Sequence, residues 1–144
     1  MKPKNIFIQG AVSSAKIAKV IQHHNSKTNI GGHSIFLGQV RADEKPEGNV
    51  QAIEYTAYEE MALEKAYLIR EEIFEKYPLT CMHIYHSLGK INAGEICLFV
   101  FTSSKHRAMA MDACRYVVEE IKANVPVFGK EIFEDGEHQW KENK

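Results

Sequence analysis

Residues 103–131 read SSKHRAMAMDACRYVVEEIKANVPVFGKE. The middle of this stretch carries apolar residues at spacings of four, three and four, which predicts a helix from near Lys105 to just before Pro126. The apolar stripe consists of Ala110, Cys114, Val117 and Ile121. The residues after the proline, 127–133, are typical of a strand. The stretch therefore predicts a helix that leads directly into a sheet.

Three cationic residues open the predicted helix: Lys105, His106 and Arg107. Positive charge at a helix start is unfavourable beside the positive end of the helix dipole. Such a cluster is typical of a site where first-turn N–H groups and basic side chains bind an anion together. A solvated basic turn is the alternative.

Working outward from this stretch, the patterning predicts the element order βαββαββαββ. Further strands are expected over residues 5–9, 34–40, 50–58, 80–88 and 95–102, with a return near residue 140. Further helices are expected over residues 14–25 and 59–77. Residues 41–49 contain Pro46 and Gly48 and predict a mobile loop. This order predicts a single α+β domain over residues 1–144 with a mostly antiparallel sheet.

Composition limits the function classes. The 144 residues are 44% hydrophobic and 26% charged, with a formal net charge of −1. A near-neutral chain argues against a nucleic-acid or membrane-surface binder. The longest apolar run, residues 96–101, is far below the ~20 residues that span a bilayer. No signal segment is expected at the N-terminus.

Cysteines and histidines show no metal-site pattern. The cysteines are Cys81, Cys97 and Cys114. They lack C-x-x-C spacing, and their apolar neighbours predict reduced, buried thiols of a cytoplasmic protein. The pairs His23-His24 and His83 with His86 have no cysteine or carboxylate that completes a ligand set. Surface or packing roles are expected for them, and neither a metal nor a cofactor.

Taken together, the motifs make the chain similar to the large, catalytic subunit of molybdopterin synthase. The matching segments run in the family's order along nearly the whole chain: residues 36–41 (FLGQVR), 63–64, 103–107, 122, 125–131, 134–136 and 140. The resemblance implies an α/β hammerhead-like fold with a small additional β subdomain. It also implies a homodimer within a heterotetramer.

The resemblance implies a sulfurtransferase that converts cyclic pyranopterin monophosphate, the pterin substrate, into molybdopterin by installing a dithiolene. Each sulfur would arrive as a thiocarboxylate on the Gly-Gly tail of a small ubiquitin-like partner. The printed sequence ends Glu142-Asn143-Lys144, so the sulfur carrier is expected to be a second protein. Its tail is expected to enter a groove near Lys122.

The resemblance also assigns site residues. Lys122 and Lys130 are the catalytic candidates, and the substrate-binding candidates are Gln39, Val40, Arg41, His106, Arg107, Gly129, Lys130 and Glu131. A lysine that acts as nucleophile or proton carrier needs a neutral amine, which burial and nearby cations favour. Arginine and histidine side chains suit the substrate's cyclic phosphate. A solvated lysine at a helix end is the alternative for Lys122.

Gly129 departs from the family's pattern, which has lysine at this position. Lys130 is adjacent, but neighbouring strand residues point to opposite faces, so Lys130 could compensate only through a bulge at the glycine. The sequence thus leaves two main hypotheses open: an active enzyme, or a non-catalytic member that binds partner and pterin phosphate. A phosphate-binding module unrelated to pterins is a third.

His106 and Lys122 are sixteen residues apart on the predicted helix, or ~24 Å along its axis. One small substrate cannot touch both in the same chain. Two explanations follow: a two-fold dimer that brings the helix start of one chain to the helix end of the other, or a purely surface position for one residue.

Overall fold

The computed structural model describes residues 4–141. The ending Glu142-Asn143-Lys144, on which the expectation of a separate sulfur carrier rests, lies outside the described residues, as does the start of the chain. Among the described residues, no helix is both long enough and apolar enough to cross a membrane.

Three α-helices form where the patterning predicts them: α1 (Ser14–His23), α2 (Glu59–Lys76) and α3 (Arg107–Asn124). Ser13 caps α1, since its side-chain oxygen accepts the N–H of Lys16 at 3.1 Å. The helices α2 and α3 both end at an extended residue before a proline, Pro78 or Pro126.

The strands are β1 (Phe7–Gln9), β2 (Gly32–Gln39), β3 (Glu44–Lys45), β4 (Gly48–Ala57), β5 (Leu79–Asn92), β6 (Ile96–Ser104), β7 (Val127–Phe133) and β8 (His138–Trp140). They form one sheet in the order β2-β6-β5-β4-β7-β8, with β3 beside β4 and β1 parallel to β5. The other pairings are antiparallel. The predicted α+β class with a mostly antiparallel sheet is confirmed.

The long strand β5 joins two halves of the sheet. Its first part, to His86, pairs with β6, and its last part, from Gly89, pairs with β4. The helix α3 packs on β2 and β6, and the smaller half contains β4, β7 and β8. The chain passes from α3 into β7, so the C-terminal end of α3 lies at the junction of the halves.

The apolar stripe of α3 is fully buried, as predicted, and so are the three cysteines. On α2, Ala62, Ala66, Ile69 and Ile73 are buried. The neighbouring Met61 is 53% exposed, because adjacent helix residues point in different directions and Ala62 occupies the buried side.

Residues 41–49, predicted as a loop, contain a short strand that the patterning missed. They contain β3, which pairs with the start of β4 through Glu44↔Asn49 and Lys45↔Gly48. The Lys45 ammonium donates to the buried carboxylate of Glu131 at 2.6 Å. The anchoring residue is 86 positions further along the chain, so local sequence signals could not reveal it.

Candidate active site

A cleft of about 480 Å³ opens at the junction of the two halves, beside the end of α3. The polar or charged side chains in its lining belong to Tyr55, His86, Lys122, Asn124 and Lys141. Phe128 and Trp140 add aromatic surface. The cleft thus combines two amines with a neutral, partly aromatic wall.

Lys122 reaches the cleft from the last turn of α3, where a cation is favourable beside the negative end of the helix dipole. It is half-buried, and the preceding residue, Ile121, is part of the core. The core therefore fixes the helix turn that carries Lys122.

Lys141 follows directly after β8 and lines the same cleft. Its backbone N–H donates to the carbonyl of Gly129 at 2.8 Å, which continues the β7–β8 ladder by one residue. Burial lowers the pKa of the Lys141 amine, and the positive charges of Lys122 and Arg41 lower it further. Most of the Lys141 residue is exposed to solvent. The lowered pKa therefore reflects protein groups close to the amine.

His86 is buried behind the cleft. Burial lowers its pKa to about 4, and the nearby charge of Lys122 adds to this effect, against a hydrogen bond to the Ser87 carbonyl. Its Nδ1 lies 2.8 Å from that carbonyl oxygen. A carbonyl only accepts, so Nδ1 carries the hydrogen and Nε2 keeps a lone pair. His86 is thus neutral in the wall of the Lys122 cleft at pH 7, with Nε2 able to accept a hydrogen bond.

Tyr55 lies beside His86, with ring centroids 5.2 Å apart and the rings nearly perpendicular. Its hydroxyl donates to the sulfur of Cys97 at 3.4 Å. Burial, then the Cys97 thiol, raises the Tyr55 pKa, so the phenol stays protonated. Tyr55 therefore acts as a neutral wall of the cleft.

Gly129 lies opposite Tyr55 in the β4–β7 ladder, on the face of the strand that borders the cleft. The ladder continues in unbroken register to Lys130, which lies opposite Glu54. Lys130 points to the other face and forms an ion pair with Glu54 at 3.2 Å. A bulge that would turn Lys130 toward Lys122 is not formed in this part of the described ladder.

Of the remaining substrate-binding candidates near this end of the sheet, two are buried and one is exposed. Val40 is 1% exposed and lies in the core. Glu131 is 2% exposed, and its Oε1 accepts from Lys45 at 2.6 Å and from Gln139 at 3.3 Å. Gln39 is exposed at the end of β2.

The three predicted phosphate-binding cations do not meet within one chain. His106 lies at the N-cap position of α3 without a side-chain capping bond. The Cα of Arg107 lies against Gly32 at the start of β2, 3.2 Å from where a Cβ on that glycine would be. Arg41 follows the other end of β2, roughly 30 Å further along the strand. There it is exposed and bonds Asp43 at 3.2 Å. Arg41 thus belongs to the Lys122 end of the molecule.

Histidines away from the cleft pack on one another. His24 and His83 approach to 3.1 Å between their Nε2 atoms, and His24 is buried against Phe101. Within residues 4–141, the His, Cys, Asp and Glu side chains form no group that could hold a metal ion.

Comparison with known proteins identifies the family. The sequence matches the family described as MoaE protein over residues 10–124. The molybdopterin synthase catalytic subunit of Pyrococcus abyssi is 39% identical over 136 residues, which cover 94% of this chain and 84% of that protein. The chain belongs to the MoaE family. The resemblance predicted from the motifs is confirmed, and the expected sulfurtransferase class agrees with this relative's name.

Two solved structures have a fold similar to that of this chain. The crystal structure of molybdopterin synthase from Staphylococcus aureus is 31% identical with a TM-score of 0.83, covering 96% of this chain and 98% of that one. A complex of subunits 1 and 2 of molybdopterin-converting factor from Helicobacter pylori has a TM-score of 0.81 over 96% and 90% of the two chains. At 20% identity, this second likeness shows the fold alone.

The cleft residues of this MoaE chain that the sequence analysis missed include His86 and Lys141. His86 was expected to have a surface or packing role, yet it lines the cleft. Lys141 was not singled out, although it follows Trp140, the last residue of the motif match. The β7–β8 turn at Asp135-Gly136 could have revealed it, since a short hairpin brings residue 141 back to residue 129.

Proposed function

We propose that this chain is the catalytic subunit of a molybdopterin synthase and transfers sulfur from a thiocarboxylate to cyclic pyranopterin monophosphate. The observation that carries the proposal is Lys122, held by the end of α3 in a cleft beside a neutral His86. Residues 1–144 act as a single domain in this proposal. A cytoplasmic location stays a prediction.

Lys122 is proposed as the catalytic amine. An amine beside a thiocarboxylate can attack its carbonyl or carry a proton to the departing group. The neutral ring of His86 lines the same cleft, where its Nε2 can accept a hydrogen bond and help to orient the reacting groups. Lys130 stays a predicted catalytic residue. To reach the cleft, its side chain would have to break the ion pair with Glu54.

The substrate site is proposed to form between two copies of the chain. Arg41 and Lys122 lie at one end of the molecule, and His106 and Arg107 lie at the other. A two-fold dimer can bring these ends together, with the cations of the second chain binding the cyclic phosphate. Gln39, Gly129 and Glu131 complete the proposed binding set, Glu131 by fixing the β3 segment beside Arg41.

The edge strand β2 supports a second copy as the neighbour. It is the outer strand beside β6, and three consecutive large apolar residues on it are more than a third exposed: Ile35, Phe36 and Leu37. Met111 on α3, which packs on β2, is 59% exposed. An unpaired apolar strand edge is unfavourable in water and is commonly covered by another chain.

A small ubiquitin-like protein with a Gly-Gly thiocarboxylate tail is proposed as the sulfur-carrying partner, in a heterotetramer with the dimer. The Helicobacter pylori structure supports a second subunit as partner, since it is a complex of subunits 1 and 2 of molybdopterin-converting factor. Exposed aromatic residues lie at the cleft: Phe128, 43% exposed, and Trp140, 62% exposed, line it, and Tyr58, 65% exposed, packs against Phe128. Such residues are typical anchors of a protein interface.

A single-turnover assay tests the proposal. The chain is mixed with cyclic pyranopterin monophosphate and a thiocarboxylated ubiquitin-like partner, and molybdopterin is detected as its fluorescent oxidised derivative. We expect product from the native chain and none from Lys122→Ala, with both proteins folded. Product from Lys122→Ala at the native rate would refute the role of Lys122.

The alternative, a non-catalytic family member, rests on the glycine at position 129. It predicts that the chain binds the partner and the pterin phosphate without forming product. The same assay separates the two functions when partner binding is measured in parallel. Binding without product from the native chain would favour the alternative.

A further inference from the structure

The cleft contains a second amine that the motif match does not explain. In the β7–β8 ladder, Lys130 lies opposite Trp140, so the next pair outward is Gly129 with Lys141. The hydrogen bond from the Lys141 N–H to the Gly129 carbonyl, at 2.8 Å, closes this pair. Residues directly opposite each other point to the same face of an antiparallel ladder. Lys141 therefore shares the face of Gly129, whereas Lys130 does not.

Lys141 lines the Lys122 cleft, whereas Lys130 is not part of its lining. The pairing extends across the sheet from Lys141 through Gly129 to Tyr55, and all three residues line the cleft together with Lys122. Gly129 has no side chain, so the four-carbon stem of Lys141 can lie over it. A larger residue at position 129 would compete for this space.

The charges around Lys141 favour an anionic guest. Lys122 and Arg41 are both near enough to disfavour its charged form, whereas Cys97 and Glu131 favour it. The carboxylate of Glu131 is already bonded to Lys45. Cations gathered around a partly desolvated cleft bind an anion with charge-assisted hydrogen bonds, because the anion removes their mutual repulsion.

We propose that Lys141 is the second amine of this cleft and binds the anionic acyl tail of the sulfur-carrying partner beside Lys122. The inference rests on the proposed function and deepens it. Lys141 is a binding residue here: its ammonium holds the thiocarboxylate, and Lys122 carries out the chemistry. The position of this amine comes from the β8 strand, so the glycine at position 129 is compatible with an active cleft.

Substitution of Lys141 tests this assignment. The Lys141→Ala variant keeps the backbone N–H that bonds Gly129, so the ladder and the fold are retained. We expect the partner concentration at half-maximal single-turnover rate to rise about 10- to 100-fold, the usual effect of losing a charge-assisted hydrogen bond. Lys141→Arg, which keeps the charge, should recover most of the loss. The control Lys65→Ala, an exposed lysine of α2, should stay within about twofold of the native chain.

Native-like half-maximal concentration and rate in Lys141→Ala would overturn the inference while leaving the proposed function intact. Absence of product from the native chain would instead count against the proposed function. A binding measurement then still tests Lys141. A synthetic peptide ending in a Gly-Gly carboxylate is titrated into protein with ¹³C-methylated lysines, and the Lys141 pKa is followed by NMR.

We expect the peptide to raise the Lys141 pKa, because the carboxylate favours the charged amine. The Lys122→Ala substitution should also raise it, because one neighbouring cation is removed. Lys65→Ala should leave it unchanged. A Lys141 pKa that responds to neither the peptide nor Lys122→Ala would overturn the inference independently of turnover.

Discussion

Gly129 and Tyr55 lie directly opposite each other in the β4–β7 ladder, and the Tyr55 ring occupies the space where a side chain on Gly129 would begin. A Cβ at position 129 would lie 3.3 Å from Cε1 of Tyr55 and 2.9 Å from Cγ2 of Ile53. Ile53 is 2% exposed, and its branched methyl group is close to the backbone and cannot swing away. The glycine is therefore a packing requirement of this core.

Gly129→Ala is expected to destabilise the fold by about 1–3 kcal/mol, the usual cost of overpacking a core. Urea unfolding of the native chain and the variant measures the change in the free energy of unfolding. In an Ile53→Ala background, which removes the closer methyl group, the cost of Gly129→Ala should shrink. An equal cost in both backgrounds would mean that Ile53 is not the obstacle.

Gly129→Lys is expected to leave turnover no higher than in the native chain. Its stem begins inside the contact distances of Ile53 and Tyr55, so the side chain would have to displace core atoms. The single-turnover rate, measured beside the unfolding midpoint, checks this. A rise from no product to measurable product would contradict this expectation. It would show that the native chain binds partner and pterin without catalysis, because it lacks the lysine amine at position 129.

His86 makes stability depend on pH. Its pKa is about 4 in the folded protein against an ordinary value of 6.5, so the unfolded state binds more protons between these values. This difference contributes about 3 kcal/mol to the free energy of unfolding. The contribution is fully present above pH 6.5 and is lost as the pH falls toward 4. His83, whose pKa burial also lowers to about 4, acts in the same direction.

Unfolding measured from pH 4.5 to 7.5 should show a smaller loss of stability in His86→Asn than in the native chain. The asparagine amide can still donate to the Ser87 carbonyl, so the comparison isolates the titrating ring. His138→Asn, at an exposed histidine of β8, is the control and should follow the native curve. A native-like pH dependence in His86→Asn would contradict the assignment.

The contact between Lys45 and Glu131 is expected to hold the β3 segment in place. Lys45→Met keeps the length of the side chain but leaves the buried carboxylate without its ammonium partner, which is unfavourable. Hydrogen exchange should show faster exchange at residues 44–50, and the melting temperature should fall. Adding Glu131→Gln should restore part of the lost stability. Unchanged exchange in Lys45→Met would mean that strand pairing alone fixes β3.

Local patterns were sufficient to predict the helices and nearly all the strands. The stripe of α3 and the proline after that helix act within a few residues, and each had the predicted effect. The Ser13 cap of α1 and the proline after α2 act over the same short range. β3 and the position of Lys141 depend on pairing with distant strands, so sequence spacing alone could not reveal them. Alternation along β7 did predict that Lys130 and Gly129 point to opposite faces.

The candidate site was predictable in part. The pattern placed Lys122 at a helix end and His106 at its start, and the structure has both there. His86 was not predicted as a cleft residue, because elements far apart in sequence form the cleft around it. The same elements bury its ring and lower its pKa. A single-chain view also cannot place His106 beside Lys122, since the helix itself keeps them apart.

The most direct test of the account is complementation between His106→Ala and Lys122→Ala, each of which we expect to be inactive as a homodimer. Each homodimer lacks one required residue at both sites, whereas a mixed dimer has one intact site and one site lacking both. After equal amounts are unfolded together and refolded, half of the dimers are mixed, and about a quarter of the native single-turnover activity should return. No activity after mixing, with mixed dimers present, would contradict a site shared between His106 and Lys122 of different chains.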